Sequence, residues 1–502
     1  MLLRRTFLQT AAAGALAIPG LHGVAAFAQG DGTLSVAVVS DPATLDPAMM
    51  ASFFEIAVQY NIHEPLLHMT PELGIEPGLA SVEIVDPVTY LLTLREGLTF
   101  HDGTALDAEA VKANFDRMMD PATGSPRAND LGPVESVEVT DPLTVTIRLK
   151  SAYAPFLQVL SNRAGMMVSP TAVAEMGEDF ATMAVGAGPY RVASWTKNAE
   201  LVLEAFDGYW RGAPAIPRVV FKPIADETVR LTNLRSGTIQ LIDGVPPQAV
   251  PQVESDAALD LKQSPGLGFN AFSFNTTAAP FDDARIRQAF SMAVDPAVIL
   301  QAGYFGSGSV SFGAIPPSMG WAYDPELSAP RGDVEGAKAL LVEAGVSGTV
   351  PVAITVTNSP IFVRVAEIMQ AQGGQAGFDV TINQIDSTSL ITVLRGREFD
   401  LCMSPWSGRS DPDGNMFNYF TMDGPNNFAG WQSEATDALL RAARAEPAQA
   451  ARGDLYRQAQ RIISEEAPML FLVFPAVLQA SSSVDWVQYP DGALRLQFAT
   501  MG

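Results

Sequence analysis

The stretch Phe399–Phe420 reads FDLCMSPWSGRSDPDGNMFNYF. It opens as a short apolar strand, Asp400 to Ser404, and then becomes a loop. The loop holds Trp406, Arg409, Asp411 and Asp413, with Gly408, Pro412 and Gly414 loosening the backbone; aromatic residues return at Phe417, Tyr419 and Phe420. A strand that opens into a loop carrying both signs of charge beside a Trp suits the holding of a small polar ligand. A surface loop with a local Arg–Asp pair and an aromatic plug beneath it has the same composition, and both readings stay open at this point.

Outward from this stretch, the N-terminus reads as an export signal rather than as part of the fold. Arg4-Arg5 precedes an uncharged stretch from Thr6 to Gly30, in which Ala26-Phe27-Ala28 is a small-x-small cleavage signal. Three glycines before Ala25, together with Pro19 and His22, leave it too weakly apolar for a membrane anchor. Arg4, Arg5, Phe7 and Leu8 fit a twin-arginine signal, from which Leu3 and Gln9 depart. Residues 1–28 are therefore expected to be a signal peptide of the twin-arginine type, with a periplasmic mature chain starting near Gln29. No cysteine lies near the cut, which disfavours a lipid anchor.

The chain of 502 residues has a formal charge of −24, and loss of two arginines with the signal makes it −26. That balance argues against nucleic acid as a partner and against docking on anionic lipid. It suits a soluble exported protein. Cys402 is the single cysteine, so no internal disulfide forms, and stability has to come from a large buried core, which this length permits.

The pattern of strands and helices is mixed α/β. Thr33–Val39, Thr89–Leu94 and Leu143–Leu149 alternate as strands, and Met469–Phe474 is a continuous apolar one. Phe53 to Leu67 is amphipathic and expected to be helical as far as Pro65. Asp107 and Asp333 are placed to cap helices, and Gly345 to end one in the left-handed conformation. Val352–Thr357, a helix from Phe362, and Asp379–Ile385 form a strand–helix–strand unit. No repeat or low-complexity linker interrupts the chain.

Most chemical motifs fail on inspection. In His63-Glu64-Pro65-Leu66-Leu67-His68 the second histidine is one position too far for a zinc-protease helix, and Pro65 breaks the helix. Four histidines and one cysteine are too few for a structural zinc cluster, so no metal site is expected. Asp411 to Asn415 resembles the start of a calcium loop, but Met416 stands where the turn glycine belongs and Met422 where the bidentate glutamate belongs. Neither a G-x-S-x-G elbow nor a phosphate-binding loop is present. Asp411 and Asp413 as a glycosidase pair is a weak reading, because no sequence rule sets their separation. No catalytic residue and no cofactor are assigned.

Several stretches, in order, resemble the family 5 extracellular solute-binding proteins, which serve the dipeptide, oligopeptide, opine and nickel importers of the ABC class. They are Leu45-Asp46-Pro47, Glu64-Pro65-Leu66, Pro77 to Ala80 leading to LREGLTFHDG (Leu94 to Gly103), Gly186 to Tyr190 with Trp195, and Tyr209-Trp210 with its Gly-x-Pro. Gly268-Phe269-Asn270, Phe274-Asn275, PFDDARIRQAFSMAVD (Pro280 to Asp295), AKALLVEAG (Ala337 to Gly345), Trp406 to Asn415 and Glu466-Ala467-Pro468 follow. The resemblance covers nearly the whole mature chain.

It implies a two-lobed periplasmic-binding-protein fold with a hinged cleft and mixed sheets in each lobe. Lobe I would comprise residues 29–267 with 476–502 returning to it, and lobe II residues 268–475. The lobes would close on a short peptide or peptide-like, carboxylate-bearing solute. The closed, monomeric protein would then deliver it to an ABC permease driven by its ATPase. By the same resemblance Asp411 matches an aspartate that receives a ligand ammonium group, and Trp406 an aromatic that lines the cleft. Phe53 matches a contact from the first lobe. Arg409 departs from the pattern: it stands where an acidic residue is frequent, in a loop one residue shorter. It would either pair with Asp411 or hold a second ligand carboxylate. Arg364 and Arg127 are further candidates for a ligand carboxylate. Tyr190 and Asn275 are expected to support the cleft, and Arg285 and Arg287 to be structural. Nickel-chelate or haem binding on the same scaffold, service to a chemoreceptor, and a secreted hydrolase are the alternatives.

Overall fold

The computed structural model describes residues 32–50 and 55–502; the expected signal peptide and Phe53 lie outside the described residues. The apolar run Met469–Phe474 is buried throughout, the pattern of a central strand. It begins a strand, Met469–Ser481, around which the largest sheet is arranged. On one side follow Leu241–Asp243, Thr33–Val38, Arg218–Pro223, Glu200–Ala205 and Tyr190–Thr196. On the other follow Asn270–Phe274, Leu401–Met403, Val350–Thr357 and Phe378–Ile385. The two sides use opposite ends of the strand: Leu241 pairs with Ser481, whereas Phe272 pairs with Leu470. Between those ends Pro475, Ala476 and Val477 are only half-buried.

Each side has its own apolar interior. Leu34, Val36, Tyr190, Leu203, Phe221 and Trp486 share one. Phe272, Phe290, Ile354, Met369 and Leu401 form another, and Phe269, Met416, Tyr419, Tyr456 and Phe471 a third beside it. A separate antiparallel sheet runs Ala80–Asp86, Thr89–Leu94, Thr144–Leu149, Val134–Asp141. Its alternating Val145, Ile147 and Leu149 face the helix Ala108–Met119 through Val111 and Phe115.

Local signals act as expected where they are strong. The carboxylate of Asp107 accepts from the Ala110 N–H, that of Asp333 accepts from Gly336, and Gly345 has φ +80°. Val350–Thr357 and Phe378–Ile385 are parallel neighbours joined by the helix Pro360–Ala376.

Two readings need correction. The helix expected from Phe53 towards Pro65 runs, in its described part, only from Ile56 to Ile62, and Glu64–Pro65 is already extended. The residue before a proline is driven out of the helical region, which moves the boundary upstream. The loop expected after Ser404 is shorter than it looked: Pro412–Phe420 is a helix. Asp411 is its N-cap, accepting from the Asp413 N–H at 2.9 Å, and Pro412 occupies the first turn, where its missing N–H costs nothing.

Candidate ligand cleft

The strand Leu401–Met403 delivers the chain to the cleft, and backbone bonds carry its pairing onward. Ser404 N–H donates to Ala271 O at 2.8 Å, and Trp406 and Phe269 exchange N–H···O bonds at 2.9 and 3.0 Å. So close an approach requires glycine on both sides. A Cβ on Gly268 would lie 2.0 Å from Trp406 O, and one on Gly408, which has φ +81°, would lie 2.2 Å from the Leu267 carbonyl carbon.

Asn415, fully buried, fixes the loop's shape. Its Oδ1 accepts from Trp406 Nε1 at 3.0 Å and from Arg409 N–H at 2.9 Å. Its Nδ2 donates to the carbonyls of Leu267 at 2.9 Å and Ala314 at 3.0 Å. Sequence reading missed this role; the only signal is a polar side chain in the first turn of an otherwise buried helix.

The two acids of the loop are engaged from within the protein. Arg452 donates to both oxygens of Asp411, at 2.7 and 2.5 Å, and also to Tyr456 Oη and Ala443 O. Burial works against the charge of Arg452, but the Asp411 carboxylate outweighs it and holds the guanidinium above its ordinary range. Arg444 grips Asp413 with Nε on Oδ1 at 2.9 Å and Nη2 on Oδ2 at 2.7 Å. Burial lifts the Asp413 carboxyl above its usual range, against the pull of Arg444.

Arg409 differs. Its guanidinium carbon lies 4.3 Å from the centroid of the Trp406 ring. Its Nη1 donates to Gly408 O at 2.6 Å and reaches Ser407 Oγ at 3.4 Å, and Arg409 enters no ion pair among the described residues. Burial, then the positive charge of Arg163, push it down to about 10, so it remains a cation at neutral pH. Trp406 is further held edge-to-face against Tyr419 at 5.4 Å.

These side chains form one wall of a cavity of about 560 Å³. The facing wall comes from residues 126–164 and includes Arg127, Tyr153 and Arg163. Arg127 Nη1 pairs with Asp130 at 2.9 Å. The walls touch at one edge, where Ala154 N–H donates to Arg444 O at 2.8 Å and Arg444 lies 5.3 Å from the Tyr153 ring. A water-sized recess behind Arg409 is bordered by Asp491, whose carboxylate is held by Arg495 at 2.9 and 2.7 Å. A hollow of about 580 Å³ elsewhere, bordered by Pro280, Asp282, Asp283 and Pro351, is an open groove with no cationic lining.

The cavity thus gathers Trp406, Arg409, Asp411 and Arg127. It does not gather Tyr190, Asn275 or Arg364. Tyr190 is fully buried in the core beside Thr33–Val38. Asn275 shapes the turn after its strand, accepting from Thr277 and donating to Arg397 O at 3.1 Å. Arg364 is exposed on its helix, 5.4 Å from the Phe305 ring. Arg287 donates to the carbonyls of Phe281, Glu466 and Ala467, and Arg285 binds Asp283 and Glu343 O, both as framework. Among the described residues no group of three or more His, Cys, Asp or Glu is arranged to hold a metal ion, and no helix is long and apolar enough to cross a membrane.

A large sheet whose two sides share one long strand, with a polar cavity between the Trp406–Asp413 stretch of one side and residues 126–164 beside the separate antiparallel sheet, fits a two-lobed solute-binding fold. Comparison with known proteins agrees. The sequence matches the family model for bacterial extracellular solute-binding proteins, family 5 Middle, over residues 74–428. It is 29% identical over 470 residues to the glutathione-binding protein GsiB of Shigella flexneri serotype 5b, covering 89% of this chain and 90% of that protein. The periplasmic binding protein DppA of Helicobacter pylori, solved with the peptide STSA, superposes with a TM-score of 0.82 at 25% identity, over 94% of this chain and 98% of that one. HbpA2 of Haemophilus parasuis gives 0.84, also at 25%, over 94% and 100%. The chain belongs to the family 5 extracellular solute-binding proteins and is the solute-binding component of an ABC importer.

Proposed function

We propose that this protein captures a short peptide or peptide-like solute by its carboxylate, in the cavity between residues 126–164 and the Trp406–Asp413 loop, and delivers it to an ABC permease. The observation that carries this reading is Arg409: a cation bordering the cavity, stacked on Trp406 and in no ion pair among the described residues. A guanidinium so placed is a ready partner for a ligand carboxylate, with the indole supplying apolar area for the ligand's body. Arg127, on the facing wall, is the second contact. The glutathione-binding relatives and the peptide-bound structure from Helicobacter pylori support a peptide-type ligand. The protein binds and releases its ligand unchanged, as a monomer.

The lobes divide at residues 268 and 475, with residues 476–502 returning to the first. Pairing of Met469–Ser481 with strands of both sides supports this division, as does the packing of Trp486, Leu494 and Leu496 against Leu34 and Phe221. Export to the periplasm with cleavage near Ala28, by the twin-arginine route, rests on Arg4-Arg5 and Ala26-Phe27-Ala28.

A micromolar ligand needs roughly 8 kcal/mol of net binding, within reach of one charge-assisted fork plus aromatic burial. Ligand at 100 times its dissociation constant stabilises the fold by about 2.7 kcal/mol. A thermal-shift screen of glutathione, dipeptides, tripeptides and opines tests the reading. A clear rise in Tm with at least one of them is expected; no shift with any would overturn it.

A further inference from the structure

We infer that the cleft selects a net-anionic ligand and offers no seat for a free ammonium group: peptides whose amine is blocked by acylation bind as well as those whose amine is free. This rests on the peptide-type reading above and deepens it.

The inference follows from the charges around the cavity. Every acid that borders the cavity or its recess is already held by an arginine. Asp130 is paired with Arg127, Asp411 with Arg452, Asp413 with Arg444 and Asp491 with Arg495, the last three each through two hydrogen bonds. A ligand ammonium would have to displace a buried guanidinium from one of these forks, or share a carboxylate whose charge is already matched. Arg409 presents the opposite situation. Arg444 uses its Nε and Nη2 edge to hold Asp413. On Arg409 the hydrogen bonds come from Nη1 and the backbone N–H, so the Nε and Nη2 edge carries none among the described residues. That edge is the fork that fits a carboxylate side-on. The indole of Trp406 covers one face of the guanidinium, so a ligand approaches by the edge.

Arg163 adds a further cation to the wall, and the remaining polar lining is neutral. Asn129, Gln158, Asn162 and Asn418 present amides to the cavity. A neutral amide accepts from the N–H of an acylated nitrogen and supplies no counter-charge to an ammonium, so it does not require a free amine. The cavity therefore reads the anionic end of the ligand by charge and its nitrogen end by neutral hydrogen bonds.

The test is isothermal titration calorimetry of the full mature chain with glutathione, N-acetyl-glutathione, glutathione amidated at its glycine carboxylate, and glutathione amidated at both carboxylates. The inference predicts that acetylation changes Kd by less than about threefold, and that blocking the carboxylate seated on Arg409 weakens binding about 10- to 100-fold. Arg409→Gln removes that dependence on the free carboxylate, and Arg409→Glu turns preference towards amidated, amine-bearing ligands. Both should still unfold cooperatively without ligand, within a few degrees of the wild type, since Arg409 loses its stack on Trp406 and its bond to Gly408 O but no ion pair. Binding of glutathione with loss of binding for its N-acetyl form would overturn the inference and leave the peptide reading standing. No binding by any of the four, nor by the dipeptides of the thermal screen, would overturn the peptide reading and the inference with it.

Discussion

Arg452 and Asp411 stand 41 residues apart in the chain, and the arginine occupies both oxygens of the aspartate, with side chains 6% and 4% exposed. The acid at the centre of the cleft loop is thus a strut that ties the N-terminus of the helix Pro412–Phe420 to the helix Gln449–Glu466. Asp411→Asn leaves a buried guanidinium without its counter-charge, which costs about 3–5 kcal/mol. Chemical denaturation should show that loss, and affinities for amine-bearing and amine-blocked ligands should fall together. Unchanged stability with a selective loss for amine-bearing ligands would assign Asp411 to the ligand instead.

Gly414 sits against the base of Arg409: a Cβ there would lie 2.5 Å from the Cβ and Cγ of that arginine. Gly414→Ala should push Arg409 off the Trp406 ring. Alanine is the better helix former by up to about 1 kcal/mol, but the Arg409 Cβ is fixed to the backbone and relief of the contact takes a backbone shift, so a net loss of about 1–3 kcal/mol is expected. Ligand affinity should drop about tenfold, the size of one weakened charge-assisted contact. Calorimetry and a thermal melt on the same sample separate the two effects, and equal affinity would show that Arg409 does not need this path.

Asn415→Ala removes four hydrogen bonds and leaves their backbone and indole partners buried. The expected cost is about 2–4 kcal/mol by urea denaturation. Ligand binding should weaken as well, because Trp406 and Arg409 lose their common anchor. A loss below about 1 kcal/mol would mean that water replaces the amide without penalty.

Acid should destabilise the fold through two histidines. Burial pushes His63 down to about 4, with partial relief from the Leu45 carbonyl its Nε2 donates to, and burial likewise pushes His101 down to about 4. Both are neutral in the folded protein at pH 7, while in the unfolded chain they titrate near about 6.5. The unfolded state therefore binds the proton first as pH falls. The contribution is complete above about 6.5 and lost between there and about 4, amounting to about 3 kcal/mol for His63. Urea midpoints at pH 7 and pH 5 should differ less in His63→Gln than in the wild type; equal differences would remove His63 from the account.

What was legible in the sequence was local. Alternation in Leu143–Leu149 marked a strand because one face is buried, and Asp107 and Asp333 marked helix starts because a cap acts within three residues. Asp411-Pro412-Asp413-Gly414 misled because the same residues that make a turn also begin a helix, and only the packing of Met416, Phe417 and Phe420 decides between them. Arg127, a candidate from the sequence, borders the cavity, whereas Arg452 is not visible in the sequence, since pairing across 41 residues leaves no trace in spacing. The cleft's order along the chain was recoverable through resemblance; its charge balance, which depends on who pairs with whom, was not.

The proposed function places a small carboxylate-bearing, peptide-like anion on Arg409 in the cleft. Mass spectrometry of the molecule released on denaturing the protein, purified from its native host, is the decisive measurement. A short peptide-like compound with more carboxylates than free amines is expected, absent from Arg409→Glu purified alongside. A porphyrin, a metal chelate or a cationic peptide released from the wild type in stoichiometric amount would contradict it.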